Sequence, residues 1–110
     1  MTSLEVNTID VHELKRRLNA DANLRLIDVR EDYEWQALRI PGAIHIPKNE
    51  LPDRIESNTP DRDCPIYLHC KGGVRSFDAA QNLLQMGYKE VYSIDGGISD
   101  WEHAGYPTEK

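Results

Sequence analysis

Short apolar runs alternate with helix-patterned stretches along the whole chain, and no hairpin dipeptide joins one run directly to the next. That order leaves few folds open. Strands separated by helices pair in parallel, with the crossing helices covering both faces of the sheet, and the crossovers are right-handed. Asp10 with Glu13 has the form of a capping box, and Val11, Leu14 and Leu18 recur behind it, so about 10–20 reads as a helix. Asn23–Val29 reads as a strand, its Leu26-Ile27-Asp28-Val29 core nearly continuous in apolar character as expected of a strand covered on both faces. Glu31–Leu38 reads as a short helix ended by Pro41-Gly42, and Ala43–Ile46 as a strand stopped by Pro47. Asn49–Glu56 is a short helix with Pro52 in its first turn, and Cys64–Cys70 the third clear strand, broken by Lys71-Gly72-Gly73. A helix after Arg75 is expected to carry Phe77, Ala80, Leu83 and Leu84 on one face and to end at Gly87. Glu90–Ile94 is the last strand, and Asp95-Gly96-Gly97 turns into a terminal helix through about His103. The fold class is α/β, and a length of 110 residues gives one domain, 1–110.

Charge narrows the partners. The formal net charge is −6, so the chain as a whole is a poor binder of nucleic acid or of an anionic membrane surface. Its apolar runs are a few residues long, too short for a membrane span. The opening MTSLEVNTID is acidic and lacks the pattern of a secretory leader, so a cytoplasmic location is expected. The 2 cysteines, Cys64 and Cys70, are too few for a disulfide framework and form no Cys-x-x-Cys pair, so no metal or other cofactor is expected. Six positions apart on one strand, they would lie roughly 20 Å from each other at ~3.3 Å per residue. Cys64 therefore reads as a bystander.

Cys70 is different. In open α/β sheets the reactive crevice lies at the carboxyl ends of the strands, where this residue sits. Behind it Lys71-Gly72-Gly73-Val74-Arg75 leads into a helix. Two glycines permit positive φ, so successive amides of residues 71–75 can turn toward one centre, reinforced by the helix N-terminus. Lys71 and Arg75 add two cations to an acidic protein. A thiol at such a nest is biased toward thiolate, the nucleophilic form, and suits attack on an anionic sulfur or oxo compound. A buried core thiol beside an ordinary turn is the bland alternative. His69 is adjacent, but neighbouring strand residues point to opposite faces, which speaks against a Cys–His dyad. Asp28 ends a strand at the same rim and is read as support for Arg30 or for loop amides rather than as a catalytic acid. Trp35 and Trp101 read as packing aromatics, Trp101 also as a candidate pocket wall, and Glu31, Asp32 and Glu34 as first-turn acids that favour the helix dipole.

Cys70-Lys71-Gly72-Gly73-Val74-Arg75 resembles the Cys-x-x-Gly-x-Arg active-site loop of rhodanese-type sulfurtransferases. Leu26-Ile27-Asp28-Val29-Arg30-Glu31 resembles the family's Asp-Val-Arg-Glu strand and turn, and Ile40-Pro41-Gly42-Ala43 its Ile-Pro-Gly-Ala segment. Asp95-Gly96-Gly97-Ile98 with Trp101 resembles its closing Gly-Gly-x-x-x-Trp element. The chain departs from the pattern at Leu38-Arg39, commonly Gly-His, and at His45, often Asn.

The resemblance implies a rhodanese fold, a five-stranded parallel sheet flanked by helices. It implies a Cys70 persulfide held by the amides of residues 71–75, with Arg75 fixing the loop and Lys71 favouring anionic donors. Sulfur would pass from a small anionic donor such as thiosulfate, or a cysteine desulfurase, to cyanide, a thiol or a ubiquitin-like sulfur carrier. The strings Leu68-His69-Cys70-Lys71 and Val74-Arg75-Ser76 look closest to rhodanese domains fused behind adenylyltransferases; with 110 residues such a pairing is expected in trans. Related phosphatases and arsenate reductases use a loop one residue longer, so that chemistry ranks below sulfur transfer. A non-catalytic rhodanese module that binds a partner or senses redox state is the other alternative.

Overall fold

The computed structural model describes residues 5–110; residues 1–4, part of the segment read above for a leader, lie outside the described residues. The chain runs β1 (Asn7–Ile9), α1 (Val11–Ala20), β2 (Arg25–Asp28), α2 (Asp32–Ala37), β3 (Ile44–His45), α3 (Leu51–Asn58), β4 (Ile66–His69), α4 (Val74–Gln85), β5 (Val91–Ile94) and α5 (Gly97–His103). All strand pairs are parallel, in the order β1-β5-β4-β2-β3. The expected five-stranded parallel sheet with helices on both faces is thus observed.

Alternation along the strands sorts the core into two layers. Ile27 on β2, Ile66 and Leu68 on β4 and Val91 on β5 face one way and pack with Leu51 and Ile55 of α3 and Ala79, Ala80 and Leu83 of α4. Leu26, Tyr67 and Ile94 face the other way, against Val11 and Leu14 of α1 and Ile98 and Trp101 of α5. Each of these fully buried large side chains stabilises the fold by about 1.5–3 kcal/mol before entropy is counted. Trp101 directs its indole N–H to the carbonyl of Pro107 at 2.7 Å, which satisfies the polar edge of a buried aromatic.

Several element boundaries differ from the sequence expectation. β1 has no counterpart among the strands read from the residues: it is three residues long and begins Asn-Thr, so it carries no apolar periodicity. Its identity comes from pairing beside β5, Thr8 opposite Ser93. The predicted strand Cys64–Cys70 is observed over Ile66–His69, because Cys64 lies in the preceding bend with its N–H on the carbonyl of Asp61. The predicted Asn49–Glu56 helix is a 3₁₀ turn at Lys48–Glu50 followed by α3, with Pro52 in the first turn as expected. Asp10 caps α1, accepting from the Glu13 N–H at 2.8 Å, but the Glu13 carboxylate turns to Arg16 and Arg17 and leaves the box half made. Phe77 was expected inside; it is 39% exposed. The buried stripe of α4 is Ser76, Ala79, Ala80 and Leu83, with Leu84 packed at its edge, so two of the expected positions hold and Phe77 is replaced by Ser76 and Ala79; the helix itself starts at Val74 rather than after Arg75.

Candidate active site

Cys70 follows the last residue of β4 with its side chain on the α3/α4 face, and it is 1% exposed. Of the two loop glycines only Gly73 uses its freedom: its φ is +116°, and it caps the N-terminus of α4. That twist aims its N–H at the sulfur, with Gly73 N 3.0 Å from Cys70 Sγ. The Ser76 N–H reaches the same sulfur at 3.4 Å, and the Ser76 hydroxyl lies 3.6 Å away. Among the described residues the amides bonded to Sγ are thus those of Gly73 and Ser76, the second of them beyond the predicted 71–75 nest. Burial pushes the thiol up, but the Ser76 hydroxyl and the amides of Ser76 and Gly73 outweigh it, so Cys70 titrates below an ordinary thiol.

The back of the loop is clamped by α5. The carbonyl of Cys70 accepts from the Ile98 N–H at 2.9 Å and that of Lys71 from the Ser99 N–H at 3.1 Å. Gly97 makes this approach possible. A Cβ there would overlap the carbonyl oxygens of Cys70 and Lys71, and its φ is +55°.

Arg75 lies in the first turn of α4 and does not turn toward the sulfur. Its guanidinium forms a fork on Glu34 of α2, at 2.7 and 3.0 Å. Glu34 also accepts the Glu31 N–H at 3.0 Å, so one carboxylate caps α2 and ties it to α4. Its hydrogen bonds to Arg75 pull Glu34 down from 4.5 to about 2, and the same pair holds Arg75 well above its ordinary value. A depressed carboxylate contributes stability that is present above its unfolded-state value and is lost as pH falls through the folded one. Parent protein is therefore expected to exceed Glu34→Gln in urea midpoint above pH 4.5, with the gap closing as pH approaches 2. A gap unchanged over that range in a pH series of urea titrations would refute the role. Lys71 is exposed and has no ion pair among the described residues.

Asp28 and Arg30 are brought together, but on the other face of the sheet from Cys70. The Asp28 carboxylate accepts from the Arg30 backbone N–H at 3.0 Å and from its guanidinium at 2.7 Å. Arg30 continues to the carbonyl of Leu38 at 2.6 Å, holding the end of α2 over the sheet. His69, fully buried, contacts this pair at 3.5 Å and the Cys70 carbonyl, not its sulfur, at 3.2 Å. Trp35 stacks on His45 with centroids 4.9 Å apart. Trp101 lines a recess with Ile40, Pro41 and Gly42 that Cys70 does not border. Cys64 and Cys70 are both free.

Residues 10–104 match the family described as Rhodanese-like domain. The chain belongs to the rhodanese-like family. A putative sulfurtransferase of Bacillus subtilis, YtwF, is 37% identical over 99 residues, covering 90% of this chain and 93% of that protein. A sulfurtransferase of Allochromatium vinosum is 37% identical over 102 residues, covering 93% of this chain and 94% of that one. The rhodanese-like domain of an Anabaena protein superposes with a TM-score of 0.84 at 30% identity, over 96% of this chain and 80% of that one. The function is of the sulfurtransferase type.

Around the rhodanese-like loop, Ser76 and Glu34 make contacts that the sequence patterns do not assign to them, and Gly97, noted there only as part of the closing motif, lets α5 approach the loop. Glu34 carries a first-turn signal that its dipole role already satisfies, and its pairing with Arg75 spans 41 positions. Ser76 follows Arg75 directly and is traceable only once the helix start is known. No helix of the described residues is long and apolar enough to cross a membrane.

Proposed function

We propose that the protein transfers sulfane sulfur through a persulfide on Cys70. The observation that carries this reading is the thiol at the N-terminus of α4, with Gly73 N 3.0 Å from its sulfur. The thiolate attacks the outer sulfur of thiosulfate; the S–S bond of the donor breaks, sulfite leaves with its electron pair, and the Cys70 persulfide anion remains. Cyanide or a thiolate then attacks the outer sulfur and restores the Cys70 thiolate, giving thiocyanate or a new persulfide. Both steps conserve charge and need no external oxidant, metal or cofactor.

Two recesses border the loop, one lined by the carboxylates of Asp78 and Asp95 and the other carrying Lys71. Next to the sulfur, the loop borders a recess of about 310 Å³ lined by Gly72, Gly73, Val74, Phe77, Asp78 and Asp95. On its other side Lys71 and Arg30 line a second of about 320 Å³ with Tyr33 and Glu34. Lys71, exposed and without an ion pair among the described residues, draws an anionic donor, thiosulfate or the persulfide of a cysteine desulfurase. Exposed apolar side chains, Val74 and Phe77 at the first recess and Tyr33 at the second, suit contact with a protein acceptor such as a ubiquitin-like sulfur carrier.

Incubation with thiosulfate in the absence of reductant is expected to add one sulfur atom to the intact mass, and cyanide is expected to remove it. An unchanged mass, with hydrolysis of an aryl phosphate instead, would assign the loop to the phosphatase branch.

A further inference from the structure

Ser93 occupies an inward-facing position of β5 on the same face as Val91, in a layer whose other β5 and β4 side chains, Val91, Ile66 and Leu68, are apolar. It is 2% exposed, and Ser76 is 0% exposed. Burying a hydroxyl in such a layer is costly unless it is hydrogen-bonded. The two hydroxyl oxygens lie 2.7 Å apart. Ser76 Oγ also stands 3.1 Å from the Gly73 carbonyl and 3.6 Å from Cys70 Sγ. Ser93 Oγ has no other partner among the described residues, so its one proton has a single acceptor, Ser76 Oγ. The opposite direction would leave the buried Ser93 proton without an acceptor. The Ser76 proton is then free for Gly73 or for the sulfur.

We infer that Ser93 is a positioning residue for sulfur transfer, acting on Cys70 only through Ser76 in a relay of two buried hydroxyls. In the thiol form the Cys70 S–H donates to Ser76 Oγ, and the Ser76 O–H donates to the Gly73 carbonyl. When the thiol proton leaves to solvent, a lone pair of Ser76 would face the thiolate. The Ser76 O–H therefore swings from Gly73 to Sγ, while the Ser93 donor keeps the oxygen in place and polarises it. The anion gains a third donor beside the amides of Gly73 and Ser76. No covalent bond other than S–H changes. Ser93 itself does not touch the sulfur.

The inference rests on Cys70 being the reacting thiol, and its test is chosen to be independent of turnover. In a Cys64→Ser background, and below the pH at which the tyrosines ionise, the ultraviolet absorbance of the thiolate reports Cys70. Below the titration midpoint, the thiolate fraction is expected to fall about threefold in Ser93→Ala and about tenfold in Ser76→Ala. Because Ser93 acts through Ser76, Ser76→Ala/Ser93→Ala is expected to titrate with Ser76→Ala. A general loosening of the core would make the two effects add. Additive effects, or a Ser93→Ala curve that overlays the parent, would overturn the relay. Thiosulfate loading of the parent is measured separately by intact mass. Absence of loading would refute the sulfur-transfer reading while the titration still decides the relay.

Discussion

Cys70→Ser is expected to abolish persulfide formation and to lower thiocyanate production from thiosulfate and cyanide by about a thousandfold or more. Serine keeps the volume and the amides of Gly73 and Ser76, but an alcohol at neutral pH is almost wholly protonated and forms no S–S bond. The variant tests the sulfur atom itself rather than the loop that holds it. The measurements are intact mass after thiosulfate treatment and the steady-state rate of thiocyanate release. A variant that still loads sulfur would move the reaction to Cys64, which the Cys64→Ser protein would then reveal.

Gly97→Ala carries the largest expected loss of stability. At φ +55° an L side chain is strained, and the added Cβ would meet the carbonyls of Cys70 and Lys71. Those carbonyls cannot retreat easily, since they accept from Ile98 and Ser99 of the same helix. A cost of about 3 kcal/mol or more is expected. For a chain of this size that lowers the thermal midpoint by roughly 12 °C or more. Gly72→Ala is the matched control, because nothing lies within 4 Å of its added Cβ. Calorimetry giving the two variants the same midpoint would show that α5 does not clamp the loop. Because the overlap is with the peptide that bears the proposed nucleophile, Gly97→Ala is expected to slow sulfur loading as well.

Strong local signals survived folding. The alternation of Leu26-Ile27-Asp28-Val29 and of Ile66 to His69 with helix patterns led directly to a parallel sheet, because a strand buried on both faces must be apolar on both. Asp10 caps α1, Pro52 sits in the first turn of α3, and the Asp28–Arg30 pair forms within one turn of chain. What failed were the weak or displaced signals. β1 is too short and polar to have a period. On α4, Ala80 and Leu83 face the core as expected, but the stripe is completed by Ser76 and Ala79 and leaves Phe77 outside. Arg75 faced a carboxylate 41 residues away, a partner that no local spacing specifies.

The thiol proposed as nucleophile, the glycines of its loop and the layered α/β frame were legible in the residues alone, since each is written in a contiguous string of residue types. Which groups converge on that thiol became visible with the packed fold. The α5 clamp on Cys70 and Lys71, the Glu34 fork and the Ser93–Ser76 hydroxyl pair each join elements distant in the chain. The physical reason is directional. Apolar patterning needs only the right side of a strand or helix, whereas a hydrogen bond needs two groups at a set distance and angle, and that is known only once the sheet and its helices are packed.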